Sequence, residues 1–114
     1  MSSRSRLPSG VLVSALLRRV NDAGGIATML ARGDAQAGAI LIVTLDRGVM
    51  PRLLERGIGP DGKTALVPAG PIDSTPGEIT DYWRKRRQRD PDLWVIELDI
   101  PAAERFAAET ILAD

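Results

Sequence analysis

Residues 57–64, with the sequence GIGPDGKT, match the phosphate-loop pattern GxxxxGK followed by Ser or Thr. In such a loop the backbone amides surround phosphate oxygens, the lysine reaches the outer phosphates, and the hydroxyl holds magnesium. The candidate phosphate-binding residues are therefore Gly62, Lys63 and Thr64. The pattern also needs a helix directly after it, because a helix N-terminus supplies part of the anion site. Residues 65–71 contain two prolines and a glycine, which exclude a long helix. A hairpin loop is the favoured interpretation, and nucleotide binding is kept as an alternative.

A basic cluster with the sequence RKRRQR occupies residues 84–89. Such cations can bind the phosphates of RNA or another polyanion, and the preceding Tyr82 and Trp83 can stack on bases. The candidate contacts are Arg84, Lys85, Arg87 and Arg89. On a helix these cations are distributed around most of the surface, and Asp81 is spaced to pair with Lys85. The favoured interpretation is a solvated basic helix that meets the acidic end of the chain, with polyanion binding as the alternative.

Cysteine and histidine are both absent. Their absence excludes disulfides, thiol nucleophiles, imidazole bases and the usual ligands of zinc, copper and haem iron. Carboxylate chemistry remains, and Glu97 and Asp99 lie two residues apart on one predicted strand face, where they could bind a cation or act as acid and base. Nothing in the sequence indicates that either carboxylate is buried or paired. We therefore assign no catalytic residue, no metal site and no cofactor.

The length of 114 residues suits one domain over residues 1–114, with residues 1–8 expected as a flexible tail. Basic and acidic residues number 15 each, so the formal net charge is zero. Residues 1–57 carry eight basic and four acidic groups, whereas residues 90–114 carry one and seven. We expect the acidic part to fold back on the basic body, or else a strongly dipolar molecule. No signal peptide or membrane span is recognisable, and together with the lack of cysteine this predicts a cytoplasmic protein.

Hydrophobic spacing and turn residues divide the chain into three helices and about five strands. Residues 39–45, AILIVTL, are apolar on both faces and predict a central strand. We expect this strand to form a hairpin with Ile26–Arg32. The other predicted elements are a helix over Gly10–Ala23, strands over Arg52–Arg56, Thr64–Val67 and Leu93–Asp99, and a helix over Ala102–Leu112.

Two predicted helix starts carry capping signals. Ser9 is placed to cap the first helix. The sequence TPGE at residues 75–78 combines a threonine N-cap, a proline at the first helical position and a glutamate that completes a capping box, which predicts a helix over Pro76–Arg89. The resulting order, αββββαβα, predicts an α+β fold. Its sheet is expected to be mostly antiparallel and covered by helices mainly on one face.

Four segments of the chain carry recognisable motifs. They are the first helix with LLRR at residues 16–19, the turn and strand at 33–41, YWRKRR at 82–87, and DPDLWVIE at 90–97, the most specific of the four. With these motifs nearly the whole chain resembles a family of short bacterial proteins known as domain of unknown function 1491. The resemblance implies a cytoplasmic protein of alphaproteobacterial type and brings no assigned reaction, cofactor or catalytic residue. From its position after a proline turn, Trp94 is expected to anchor the last strand in the core.

These observations favour a non-enzymatic protein-interaction module, with another protein or a second copy of the chain as its partner. The reasons are the lack of histidine, cysteine and a convincing acid–base pair, together with apolar helix surface in a small chain. A homodimer is one of the two forms considered, beside a complex with another protein, and membrane contact is not expected. Polyanion or RNA binding through residues 84–89 is the first alternative, and nucleotide binding through residues 57–64 is the second.

Overall fold

The computed structural model describes residues 7–71 and 74–112, and the fold in this part of the chain is α+β as predicted. The predicted flexible tail falls mainly on residues 1–6, which lie outside the described residues. The helices and strands are α1 (Ser9–Asp22), β1 (Ile26–Ala31), β2 (Ile40–Asp46), β3 (Val49–Ile58), β4 (Thr64–Pro68), α2 (Pro76–Arg89), β5 (Trp94–Asp99) and α3 (Ala103–Ile111). The element order is the predicted αββββαβα.

The five strands form one mixed sheet in the order β1-β5-β2-β3-β4. β2 and β5 are parallel, with Ile42 opposite Ile96, and the other neighbours are antiparallel. The predicted hairpin between β1 and β2 is therefore wrong, because β5 lies between them. The reason is that β5 is apolar on both faces, with Val95 and Ile96 fully buried. Such a strand is stable only in the sheet interior with neighbours on both sides.

Helices cover both faces of the sheet. α1 and α3 pack on the face that carries Ile42, Trp94, Ile96 and Leu98, where they form the larger core. α2 packs on the opposite face, where its buried Ile79 meets a second core that includes Leu41 and Val95. The expectation that helices lie mainly on one face thus holds for α1 and α3, whereas α2 lies on the other face. The alternation of apolar side chains along β5 supplies both cores.

The starts of α1 and α2 are built differently. At α2 the Thr75 hydroxyl accepts from the amide of Glu78 (3.2 Å) and the Glu78 carboxylate accepts from the amide of Thr75 (2.8 Å), which confirms the predicted capping box and bounds. At α1 the predicted cap is wrong, since Pro8 is the N-cap residue. The Ser9 hydroxyl instead donates to the carbonyl of Gly38 at 2.6 Å. This hydrogen bond joins the start of α1 to the loop before β2.

The acidic C-terminal part of the chain folds back on the basic body, which was the first of the two expectations from the charge distribution. Arg19 on α1 pairs with Glu109 on α3 at 2.7 Å. Arg52 on β3 pairs with Glu104 at the start of the same helix. Among the described residues, no helix is both long and apolar enough to cross a membrane.

Candidate interaction surfaces

The loop between β1 and β2 packs against the turn between α2 and β5 without room for additional atoms. A Cβ on Gly33 or Gly38 would lie less than 3.0 Å from the carbonyl oxygen of Asp92. The amide of Asp34 donates to that carbonyl at 3.0 Å, and the indole Nε1 of Trp94 donates to the carbonyl of Asp34 at 2.7 Å. Trp94 is buried, as predicted. The motif residues of these two loops therefore have a structural role.

Arg87, one of the candidate polyanion contacts, closes the same junction. Its Nη1 donates to the carbonyl oxygens of Arg32, Pro91 and Leu93, each at 2.8 Å. Hydrogen bonds from a charged donor are stronger than neutral ones. They join the end of β1 to the turn that leads into β5. This guanidinium is thus engaged within the fold.

Arg86 is the second cation of the basic cluster that the fold uses. Its guanidinium pairs with the carboxylate of Glu55 on β3 at 2.8 Å, and both side chains are partly buried. Burial alone would lower the pKa of Arg86, but its hydrogen bonds and charge interactions with Glu55 and Tyr82 outweigh this and raise that pKa above its ordinary value. The ion pair ties α2 to the sheet.

The remaining cations of the cluster are exposed: Arg84, Lys85 and Arg89. The guanidinium of Arg84 lies over the ring of Trp83, 5.7 Å from its centroid. Asp81 and Lys85 form no ion pair in the described part of the chain. Four carboxylates stand on the same helix and the turn after it: Glu78, Asp81, Asp90 and Asp92. The three exposed cations are therefore interspersed with carboxylates, and no single-sign patch results.

The phosphate-loop match at residues 57–64 forms the hairpin between β3 and β4, as favoured above. The amide of Gly59 donates to the carbonyl of Lys63 (2.8 Å), and the amide of Gly62 donates to the carbonyl of Gly59 (3.0 Å). The amide of Lys63 donates to an aspartate side chain of the loop at 3.0 Å. Gly62, Lys63 and Thr64 are adjacent at the hairpin end, but Thr64 opens a strand. The helix N-terminus that a phosphate site needs is not at this position.

β3 begins, directly after its turn from β2, with two exposed apolar side chains, Val49 (56% exposed) and Met50 (76%). Met50 has a φ of 59° and Arg47 a φ of 55°, in the left-handed region that costs non-glycine residues about 1–3 kcal/mol. The third such residue is Ala102 with a φ of 60°, and it lines the same 230 Å³ hollow as Met50. The three non-glycine residues with left-handed backbone in the described part of the chain thus lie near the end of the molecule where Val49 and Met50 are exposed.

A groove of about 560 Å³ lies beside this turn, between β3, the segment after β4 and the start of α2. Its apolar lining includes Met50, Pro51, Leu53, Pro71 and Ile79. The one charged residue among its described lining residues is Arg52, which is paired with a glutamate of α3. We call Val49, Met50 and this groove the hairpin surface. Sequence reasoning missed it, although an apolar VMP immediately after the Gly48 turn, where polar residues are usual, was an available signal.

Glu97 and Asp99 lie side by side on one face of β5, as predicted, and both are half-buried. Their cross-strand neighbours on β1 are Thr28 and Ile26, which offer no further carboxylate. No group of three His, Cys, Asp or Glu residues close enough to hold a metal ion occurs in residues 7–71 and 74–112.

Known proteins are similar to this chain in both sequence and fold. The profile of a family described as "Protein of unknown function (DUF1491)" matches residues 7–108. A crystal structure of a DUF1491 family protein from Caulobacter crescentus is 32% identical, with a TM-score of 0.75 over 89% of this chain and 94% of that one. An NMR structure of a DUF1491 family protein from the same organism is 31% identical, with a TM-score of 0.73 over 90% and 94%.

A further solved relative is a protein from A. tumefaciens that is 30% identical, with a TM-score of 0.64 over 83% of this chain and 86% of that one. Comparison with curated proteins finds no match. The family and the bacterial relatives are thus those that the sequence resemblance implied.

Proposed function

This chain belongs to the DUF1491 family of proteins of unknown function, and from that premise we propose that it is a non-enzymatic protein-interaction module that self-associates through the hairpin surface. The observation that carries the proposal is Met50, an apolar side chain held outward by a left-handed backbone beside an apolar groove. Exposed apolar patches of this kind are typical of protein–protein contact sites. The lack of cysteine supports the expectation that the protein works in the cytoplasm.

A second copy of the chain is the favoured partner for two reasons. A twofold interface uses the same patch on both subunits, so a protruding side chain and a cavity must lie next to each other on each copy. Met50 meets this condition because it borders the groove that another Met50 would enter. In addition, the formal net charge is zero, so two copies do not repel each other through their net charge.

The expected contribution of Met50 follows from its exposure. Fully burying a methionine side chain is worth about 1.5–3 kcal/mol, and Met50 leaves 76% of its surface available for burial. Two copies in a symmetric dimer then contribute about 3 kcal/mol, which corresponds to roughly a hundredfold in the dimer dissociation constant. Removing this side chain should therefore be visible in the association equilibrium.

The test is sedimentation velocity over a wide concentration range, on the parent chain and two variants. Met50→Asn removes the apolar side chain, and asparagine tolerates the left-handed backbone better than most residues. Ile58→Asn is the matched control, because Ile58 is 70% exposed and lies at the other end of β3, about 27 Å away. We expect concentration-dependent dimers of the parent and of Ile58→Asn, and a dimer weakened about a hundredfold in Met50→Asn. A monomeric parent, or equal association of all three chains, contradicts the proposal.

Polyanion or RNA binding by α2 is the second candidate, and the exposure of Arg84, Lys85 and Arg89 supports it. With Arg86 and Arg87 engaged in the fold, about three phosphates would be contacted. The logarithm of the binding constant should then fall with the logarithm of salt concentration with a slope of about −2 for single-stranded RNA. Fluorescence anisotropy with a short RNA at several salt concentrations tests this. Binding that is absent at low salt, or unchanged in Lys85→Gln/Arg89→Gln, rules it out.

A further inference from the structure

A second cleft lies at the opposite end of the sheet, where α1 and β2 begin and α3 ends. Its volume is about 410 Å³, and it has no lining residue in common with the groove of the hairpin surface. Four large apolar side chains contribute to its described walls: Leu7, Leu12, Ile40 and Ile111. Among its described lining residues Arg56 of β3 is the charged one, and no carboxylate is among them.

Arg56 is only partly used by the fold. Its Nη2 donates to the carbonyl of Ile111, the last residue of α3, and a cation at a helix C-terminus is favourable there. Its Nε is buried and has no hydrogen-bond partner in the described part of the chain. A buried donor without a partner is unfavourable, more so in a charged group. The role at the end of α3 therefore accounts for one donor of this guanidinium, and none of the described lining residues of the cleft carries a negative charge that would balance it.

We infer that this cleft binds a small monocarboxylate with a compact apolar body. The planar guanidinium matches a carboxylate in geometry and charge. Arg56 is the one cation among the described lining residues of the cleft, which suits a singly charged group. The apolar walls accommodate the rest of the molecule, because ligand sites combine mostly apolar lining with a few orienting polar groups. A volume near the lower end of the roughly 300–1,000 Å³ range of ligand sites restricts the ligand to a short chain. The inference is independent of self-association.

Three probes test how much the carboxylate and the apolar body of the proposed ligand each contribute to binding. Hexanoate carries both the carboxylate and an apolar body, 1-hexanol carries only the apolar body, and acetate carries only the carboxylate. The readout is a ¹H–¹⁵N NMR titration of the full chain, followed at the amides of Gly38, Ile40 and Ile111. We expect hexanoate to shift these amides with a dissociation constant on the order of 1 mM, and hexanol and acetate to bind at least about tenfold more weakly.

Two variants and one control locate the site. Arg56→Gln removes the cation and is expected to weaken hexanoate binding about tenfold or more, with little effect on hexanol. Arg52→Gln is the matched control, since Arg52 is on the same strand outside this cleft and should leave hexanoate binding unchanged. Leu7→Ser serves as the variant if Arg56→Gln does not fold, because Leu7 is 53% exposed and its replacement should be tolerated. This substitution should weaken the binding of hexanoate but not that of acetate.

Several results would overturn the inference. They are hexanol binding as tightly as hexanoate, hexanoate shifts confined to amides elsewhere, no binding of hexanoate at millimolar concentrations, or equal hexanoate binding by the parent and Arg56→Gln. If Leu7→Ser is the variant used, an unchanged affinity for hexanoate has the same meaning.

Discussion

Replacing Arg87 with methionine should destabilise the protein far more than replacing another cation of the same helix. The two hydrogens of Nη1 are shared by three carbonyl oxygens at 2.8 Å. Hydrogen bonds to a charged group are worth about 1.5–3 kcal/mol each, and two of the three are solvent-exposed, which reduces their value. Methionine retains the apolar stem but no donor. The expected loss in the free energy of unfolding is therefore about 2–3 kcal/mol.

The assay is thermal unfolding followed by circular dichroism, with Lys85→Met as the matched control. For a chain of this length about 1 kcal/mol corresponds to about 4 °C, so Arg87→Met should melt about 10 °C below the parent. Lys85 is exposed on the same helix, and Lys85→Met should change the melting temperature by less than about 2 °C. Equal melting temperatures of the two variants would refute the reasoning. Arg87 would then be available for anions after all.

Three further predictions concern stability. Gly33→Ala should cost more than about 3 kcal/mol in urea unfolding, because the new Cβ meets the Asp92 carbonyl, whereas Gly77→Ala, with open space around it, should stabilise α2 by about 0.5 kcal/mol. Comparable effects of the two changes would contradict the close approach of the two loops. Trp94→Phe should cost about 1 kcal/mol through loss of the indole hydrogen bond to the Asp34 carbonyl, which keeps the amide of Gly38 as a donor at 3.3 Å. Calorimetric unfolding that matches the parent would argue against the indole hydrogen bond. Burial lowers the pKa of Arg86, but its interactions with Glu55 and Tyr82 outweigh this effect and raise that pKa above its ordinary value. The contribution of Arg86 to the free energy of unfolding is therefore fully present below the ordinary arginine pKa, and it is lost only as the pH rises through the raised value. The cost of Arg86→Met should therefore be the same between about pH 6 and pH 9, and a cost that varies with pH in urea titrations would implicate another group.

Local signals predicted the helices and strands well. The TPGE capping box and the DP after the helix gave the bounds of α2, because caps and proline act through the adjacent few residues. The apolar run at residues 39–45 identified a central strand, since only a sheet interior buries both faces of a strand. Alternation along residues 94–98 divided β5 between two cores for the same reason.

Pairing between distant strands was not accessible in the same way. β1 and β2 are consecutive and carry turn residues between them, so the sequence favours a hairpin, but β5 enters between them from some 50 residues further along. The contacts of Arg87 depend on that insertion, because its acceptors lie at the end of β1 and in the turn before β5. A run of cations does not reveal which of them the fold engages. Arg56 is a similar case, since its contact with the end of α3 joins residues 55 positions apart.

The most direct test of self-association through the hairpin surface is a dilution series observed by ¹H–¹⁵N NMR. The account predicts concentration-dependent shifts at the amides of Val49, Met50, Leu53, Ala69 and Ile79, which lie in or beside the groove. Amides of the basic half of α2 should not move. Shifts centred on that basic half, or spectra that do not change with concentration while the chain remains a monomer, would contradict the account.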